Sequence, residues 1–261
     1  MDDPLAVSRQ RMVDVVHAWT RPGGGRYVGP SRLKRLFRWF VRFDPNCYFS
    51  ILTHLSLEPG YTLDYVRRPT LPTEMYARRE HEPRRRADPV TQVYTRSELR
   101  DLLGGCRDVS QILERMPDYR PTLSLASHSG DSAYLSHIKS DDSEDGFFQL
   151  VLLGIMGAQF YCYDHAAYND SRIVCTHAAL DACVPRWGAR ADVDKVYREA
   201  KAFDLVPHVQ MGDEEVMVSV ALFTKWGGLS RNTYRVRRAF PHEFLDVQKQ
   251  RLVRYDCGVM F

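Results

Sequence analysis

The sequence lacks the short motifs that mark the commonest nucleotide- and metal-dependent proteins. It contains no Walker A loop, no G-x-G-x-x-G turn, no H-E-x-x-H pair and no EF-hand loop. These motifs place phosphate-binding amides or metal ligands at fixed spacings, so their absence argues against those classes of enzyme. Binding functions and cofactor-independent chemistry stay open, and we expect no cofactor.

Cysteine pairs and long apolar runs are also scarce. The six cysteines include no C-x-x-C pair, and the residues before Met12 lack the basic and apolar regions of a signal peptide. We therefore expect reduced thiols and a cytoplasmic protein. The most apolar run, residues 147–158, has about 12 residues against the roughly 20 that cross a bilayer, so we expect no membrane span.

The chain does contain enough apolar residues to build a core, since 44% of its 261 residues are hydrophobic and 11% are aromatic. This length fits a single domain over residues 1–261. We expect an exposed charged loop near residues 79–91 and an acidic loop near residues 139–146. The formal net charge is only +3, so we expect no nucleic-acid partner.

The spacing of apolar residues predicts both helices and strands. Two helices are expected near the N-terminus, one beginning at Asp3-Pro4 and a basic one over residues 31–42. Alternating apolar residues predict hairpins over residues 47–66 and 216–240, whereas residues 147–158 fit either a strand or a helix. The predicted fold class is α+β, with an antiparallel sheet built from hairpins and helices packed on one of its faces.

The predicted hairpin over residues 47–66 contains the first candidate site. If Glu58-Pro59-Gly60 is a three-residue turn, the strand register places His54 opposite Asp64 on the polar face. A carboxylate beside an imidazole fixes its tautomer and raises its basicity, as a general base requires. The alternative is a solvated cross-strand ion pair with no catalytic role.

A second candidate lies in residues 162–177, where two thiols and two imidazoles could hold zinc, namely Cys162, His165, Cys175 and His177. Strand alternation sends Cys162 and His165 to opposite faces, however, so we expect no metal. The same segment could instead contribute Asp164 and His165 to a hydrolytic site that also contains His128 of the S-H-S-G-D-S segment. Ordinary turn chemistry accounts equally well for that segment.

The C-terminal hairpin supplies the last candidate, a row of guanidinium groups on one strand face. Arg231, Arg235 and Arg237 could together bind an anionic ligand. The same row could instead protect an edge strand from pairing with another chain.

Two classes of function follow from these patterns. The first is a module that binds a small anionic ligand or a protein partner, including a second copy of this chain in a homo-oligomer. The alternative is a cofactor-independent hydrolase or transferase that acts on an anionic substrate through a His/Asp site.

Overall fold

The computed structural model describes residues 3–20, 44–66, 74–85, 133–157, 171–183, 197–224 and 227–255. Its α-helices are α1 (Pro4–Thr20), α2 (Glu144–Gly157) and α3 (His177–Cys183), and residues 197–200 are also helical. Short 3-10 helices cover Pro45–Ser50 and Ala133–His137. The strands are β1 (Leu55–Leu57), β2 (Tyr61–Val66), β3 (Glu74–Arg79), β4 (Ile138–Ser140), β5 (Arg172–Ile173), β6 (His208–Met211), β7 (Glu215–Thr224), β8 (Gly228–Arg237) and β9 (Phe244–Val253).

The described strands form three antiparallel sheets. β1 pairs with β4 and β2 pairs with β3, while the largest sheet has the order β5-β7-β8-β9 with β6 also paired to β7. Helices together with antiparallel sheets confirm the predicted α+β class. The predicted hairpin of residues 216–240 is present as β7 and β8, and its turn leads into Gly228, whose φ is +80°.

Helix α2 lies at the centre of the larger core. Eleven of its fourteen residues are buried, because it packs against α1, β6 and β7 and has no solvent-exposed stripe. Ser143 caps its first turn by accepting the Gly146 N–H at 3.0 Å, and Glu144 and Asp145 follow, which suits the positive end of a helix dipole. Residues 147–158 therefore form a helix as far as Gly157.

The predicted packing of helices on one face of the sheet is wrong. Val216, Val218 and Val220 of β7 pack into the core that contains α1 and α2. Ala221 and Phe223 belong to a second cluster that contains Leu180 of α3. Because alternate residues of a strand point to opposite faces, helices cover both faces of this sheet.

The predicted pairing within residues 47–66 is also wrong. Residues 45–50 form a 3-10 helix that Asp44 caps, and β1 pairs with β4 while β2 pairs with β3. The turn itself is present, with Gly60 at a φ of +82°. Alternation fixed which residues share a face, but it carries no information on which strand lies alongside.

The remaining predictions are met in part. The N-terminal helix is present as α1, and the predicted helix over residues 31–42 lies outside the described residues. Of the acidic loop near 139–146, only residues 141–143 lie between β4 and α2. Residues 80–85 of the charged loop are exposed, and the rest of that loop is not described. No helix in the described ranges has a stretch long and apolar enough to cross a membrane.

Candidate functional site

Two histidine–carboxylate pairs border the short ladder between β1 and β4. The β1 segment contains His54 and Glu58 and the β4 segment contains His137 and Asp141, so a histidine precedes an acid by four residues in each. Because the strands are antiparallel, each histidine meets the acid of the other segment. The Nδ1 of His54 lies 2.7 Å from Asp141 Oδ2, and the Nδ1 of His137 lies 2.8 Å from Glu58 Oε2.

Backbone hydrogen bonds extend the ladder to both pairs. The Asp141 N–H donates to the His54 carbonyl at 3.1 Å, and the Glu58 N–H donates to the His137 carbonyl at 2.8 Å. Residues four apart on a strand share a face and lie about 13 Å apart. The two pairs therefore lie at opposite ends of one polar face, while Leu55 and Ile138 are buried in the core.

His54 is fixed on three sides. Its N–H donates to Oε1 of Gln149 at 3.0 Å, its carbonyl accepts the Asp141 N–H, and its ring is held by the Asp141 carboxylate. The Gln149 side chain is 0% exposed, and its Nε2 has no hydrogen-bond partner among the described residues. A buried amide whose donor has no acceptor lowers the stability of the fold, so Gln149 makes its hydrogen bond to His54 at a cost in stability.

Asp141 is an ionised acceptor in this arrangement. Burial raises its pKa, but hydrogen bonds from Ser143 and His54 outweigh burial and hold the pKa below its ordinary value. Since a carboxylate only accepts hydrogen bonds, the proton of a neutral His54 ring lies on Nδ1. Its Nε2 then carries a lone pair, and no hydrogen bond from the described residues reaches it. The His54 side chain is 38% exposed.

Ser143 supports the carboxylate and is not placed as a nucleophile. Its hydroxyl donates to Asp141 Oδ1 at 2.6 Å and lies 3.4 Å from Nδ1 of His54. In a catalytic triad the serine lies at the imidazole nitrogen that the carboxylate does not hold. The arrangement is therefore an oriented imidazole with an open Nε2, which can accept a hydrogen bond or a proton from a ligand.

The residue after Asp141 has a strained backbone. Asp142 has a φ of +63°, in the left-handed region that side chains rarely adopt. Two guanidinium nitrogens of Arg238 donate to its two carboxylate oxygens at 2.8 Å each, and these hydrogen bonds hold the pKa of Asp142 below its ordinary value. Strain of this kind persists where surrounding contacts fix the backbone, and it is concentrated at functional sites.

The other pair is more enclosed. The His137 ring stacks on Tyr61 with centroids 4.1 Å apart, and its side chain is 29% exposed. The guanidinium of Arg79 lies over the Tyr61 ring at 5.9 Å. We therefore place the candidate site at His54, with His137 as a second oriented imidazole on the same face.

His54 does lie beside a carboxylate, but the carboxylate belongs to Asp141 and not to the predicted Asp64. Asp64 lies opposite Tyr76 in the β2–β3 ladder, 2% exposed, and its carboxylate accepts from Arg78 at 3.1 Å and Arg84 at 2.9 Å. The predicted cross-strand pairing of His54 with Asp64 is therefore wrong. Asp141 is 87 residues from His54 in sequence. The His-x3-acid spacing of residues 54–58 and 137–141 could have drawn attention to it, although residues 177–181 and 242–246 share that spacing.

The predicted anion-binding arginines have acceptors within the chain. Arg235 makes a two-pronged ion pair with Glu215, Arg237 pairs with Glu243 at 2.8 Å, and Arg231 donates to the Asp204 carbonyl. They do share one face of β8, as the alternation predicted. An anion would have to displace these acceptors, and anion binding by Arg231, Arg235 and Arg237 stays a prediction.

The other predicted site residues lie mostly outside the described part of the chain. These are Cys162, Asp164, His165 and His128. Cys175 is buried, and burial raises the pKa of its thiol to about 12. Among the described residues, no group of three or more histidines, cysteines or acids could hold a metal ion.

Comparisons with known proteins supply no relative for this chain. No protein-family model matches it, and no curated protein or solved structure shows a significant similarity to it.

Proposed function

We propose that this chain binds a small ligand at His54, and that the ligand donates an O–H or N–H group to the imidazole Nε2. One observation carries the proposal: the Asp141 carboxylate holds Nδ1 at 2.7 Å, while Nε2 has no partner among the described residues. A half-exposed histidine that serves only packing needs no such orientation.

The surroundings of His54 support this proposal. Its backbone is hydrogen-bonded on both sides, so the ring starts from a fixed position and loses little freedom when a ligand binds. The ionised carboxylate of Asp141 keeps the ring proton on Nδ1, so the neutral ring presents an acceptor. The ligand class is accordingly an alcohol, amide or amine.

A second candidate function rests on the same pair. An imidazole oriented by a carboxylate can remove the proton that it binds, as a general base does. His54 would then activate a hydroxyl group or a water molecule, which is the chemistry of a cofactor-independent hydrolase or transferase. Asp141 would stabilise the imidazolium that forms.

Binding is tested by NMR titration of the purified chain with a panel of small alcohols, amides and amines. We expect the probes that bind to shift the ring signals of His54 and the backbone amide signals of β1 and β4, and the His54→Ala variant to lose the amide shifts. His208→Ala is the matched control, because His208 is also exposed and pairs with Asp204 through its own Nε2 at 2.8 Å. Probes that bind both variants equally would place the site elsewhere.

Catalysis is tested with 4-nitrophenyl acetate and 4-nitrophenyl phosphate as an uncharged and an anionic probe. General-base catalysis is worth about 10²–10⁴ in rate, so we expect His54→Ala to remove that factor and His208→Ala to leave the rate unchanged. Asp141→Asn should lower the rate while the protein stays folded. A His54→Ala rate equal to that of the parent chain would exclude the catalytic role.

A further inference from the structure

His242 lies buried in the loop of residues 238–243, which joins β8 to β9. Its exposed fraction is 5%, and its ring contacts Phe147 of α2 and Phe240, with centroids 5.2 and 5.9 Å away. The loop therefore reaches from the large sheet to the first turn of α2, beside the candidate site.

Both ring nitrogens of His242 are used, and their roles are opposite. The Ser140 backbone N–H donates to Nε2 at 3.1 Å, so Nε2 must carry a lone pair. Nδ1 lies 3.1 Å from the Arg237 carbonyl, which can only accept, so Nδ1 carries the proton. The two hydrogen bonds together require a neutral ring.

The same loop holds both neighbours of Asp141. His242 binds the backbone of Ser140, the residue before it, and Arg238 binds the side chain of Asp142, the residue after it. Asp141 is thus held from either side by a loop more than 90 residues away in sequence. These contacts therefore hold the backbone on both sides of the carboxylate that orients His54.

We propose that His242 is a positioning residue for the His54–Asp141 pair, and that it acts only while its imidazole is neutral. A second ring proton would sit on Nε2 and face the Ser140 N–H. Two donors cannot form a hydrogen bond with each other, so the loop would release Ser140. The functional consequence, a ligand site that loosens in acid, rests on the proposed function of His54. The positioning itself does not.

Several charged groups lie around His242. They are Asp142 and Lys139 from the β4 segment, and Arg237, Arg238 and Glu243 from the flanks of its own loop. Helix α2 contributes the uncharged ring of Phe147. The NMR ring signals of His242 report its own protonation, which separates its effect from that of the carboxylates.

The test compares His242→Gln with His242→Ala. Glutamine can accept the Ser140 N–H and donate to the Arg237 carbonyl without titrating, whereas alanine can do neither. The first readout is hydrogen exchange of the Ser140 amide, corrected for the intrinsic effect of pH. The second is the titration of the Asp141 carboxyl carbon, followed by NMR.

At pH 8 we expect exchange of the Ser140 amide to be about tenfold faster in His242→Ala than in the parent, the effect of losing one hydrogen bond. His242→Gln should stay within about twofold of the parent. The pKa of Asp141 should rise toward its ordinary value in His242→Ala only. Acidification that protonates His242 should remove the same protection from the parent, and His242→Gln should keep it.

Unchanged protection of Ser140 in the parent once the ring signals of His242 show it protonated would overturn the proposal, and so would an equal loss in His242→Gln. If His242→Ala does not fold, the parent and His242→Gln still decide the outcome. His208→Gln controls for the titration of an exposed histidine. None of these readouts needs a ligand, so a failure of the proposed function, seen as unchanged binding in His54→Ala, is recognised separately.

Discussion

His54 and Asp141 are 87 residues apart in sequence, yet their side chains meet at 2.7 Å, and the Asp141 N–H donates to the His54 carbonyl. One residue thus contacts the other through both backbone and side chain. The contact exists because β1 and β4 pair in antiparallel register, with Leu55 opposite Ser140. Only three residue pairs join β1 to β4, and they set the position of this contact. A substitution that disturbs this pairing would therefore also disturb the site.

Gly146→Ala should destabilise the protein and separate Asp141 from His54. A Cβ at this position would clash with Ser140 Oγ and lie 2.5 Å from Asp141 Oδ1, although alanine ordinarily favours a helix by about 1 kcal/mol over glycine. We expect a net loss of about 1–3 kcal/mol, measured by urea unfolding.

Gly154→Ala in the same helix is the control. Its Cβ would meet side-chain atoms of Leu135 at 3.3 Å and Phe244 at 3.4 Å, which can adjust. We expect its stability to stay within about 1 kcal/mol of the parent. Equal losses in the two variants would show that crowding of Asp141 is not the cause.

Asp141→Asn should remove an acid-dependent part of the stability. The pKa of Asp141 is lower in the folded chain than its ordinary value of 3.8, so unfolding takes up a proton as the pH falls. The contribution is complete well above pH 3.8 and is lost as the pH falls through the lower folded value. The parent should therefore be more stable than the variant near pH 6, and the difference should shrink below pH 3.8.

Chemical unfolding at a series of pH values measures this difference. Asp142→Asn should behave in the same direction, because Arg238 lowers the pKa of Asp142. A difference that grows as the pH falls would contradict the ionised state of Asp141 in the folded chain.

Arg9→Ala should be strongly destabilising. The Arg9 side chain is only 5% exposed, donates to Asp145 at 2.7 Å and to the Pro207 carbonyl at 3.1 Å, and lies 5.0 Å from the centre of the Phe148 ring. It joins α1, α2 and the segment before β6. Removing one member of such a buried pair costs about 3–5 kcal/mol, and the half-exposed Asp145 brings our expectation to about 2–4 kcal/mol.

Urea unfolding of Arg9→Ala checks this value. Arg11→Ala is the matched control on the same helix, since Arg11 is exposed and surface changes usually stay within about 0.5 kcal/mol. Similar effects of the two substitutions would mean that the contacts of Arg9 contribute little.

Cys47 and Cys175 should differ in reactivity toward a thiol reagent. Cys47 is exposed, whereas Cys175 is buried and burial raises its pKa to about 12, so its thiol stays protonated at pH 8. We expect native Cys47 to be labelled and Cys175 to be labelled only after unfolding, as read by peptide mass mapping. Labelling of both residues at one rate in the native chain would contradict the buried position of Cys175.

The sequence by itself determined the fold class and several elements. Periodicity predicted α1 and the β7–β8 hairpin, and alternation correctly placed Arg231, Arg235 and Arg237 on one face of β8. These features depend on residues close in sequence, whose spacing follows directly from helix and strand geometry. His54 was predicted as a site residue from the same kind of local pattern, the alternation of apolar and polar residues along a strand.

Tertiary structure decided which strands pair and therefore which acid meets His54. Local alternation identified a polar face, but any strand of suitable pattern could have lain beside β1, and β4 took that place instead of β2. The register then brought Asp141 to the ring, while Asp64 received Arg78. The loop of His242 and Arg238 completed the site from more than 90 residues away, because contacts between distant segments follow from packing and not from spacing along the chain.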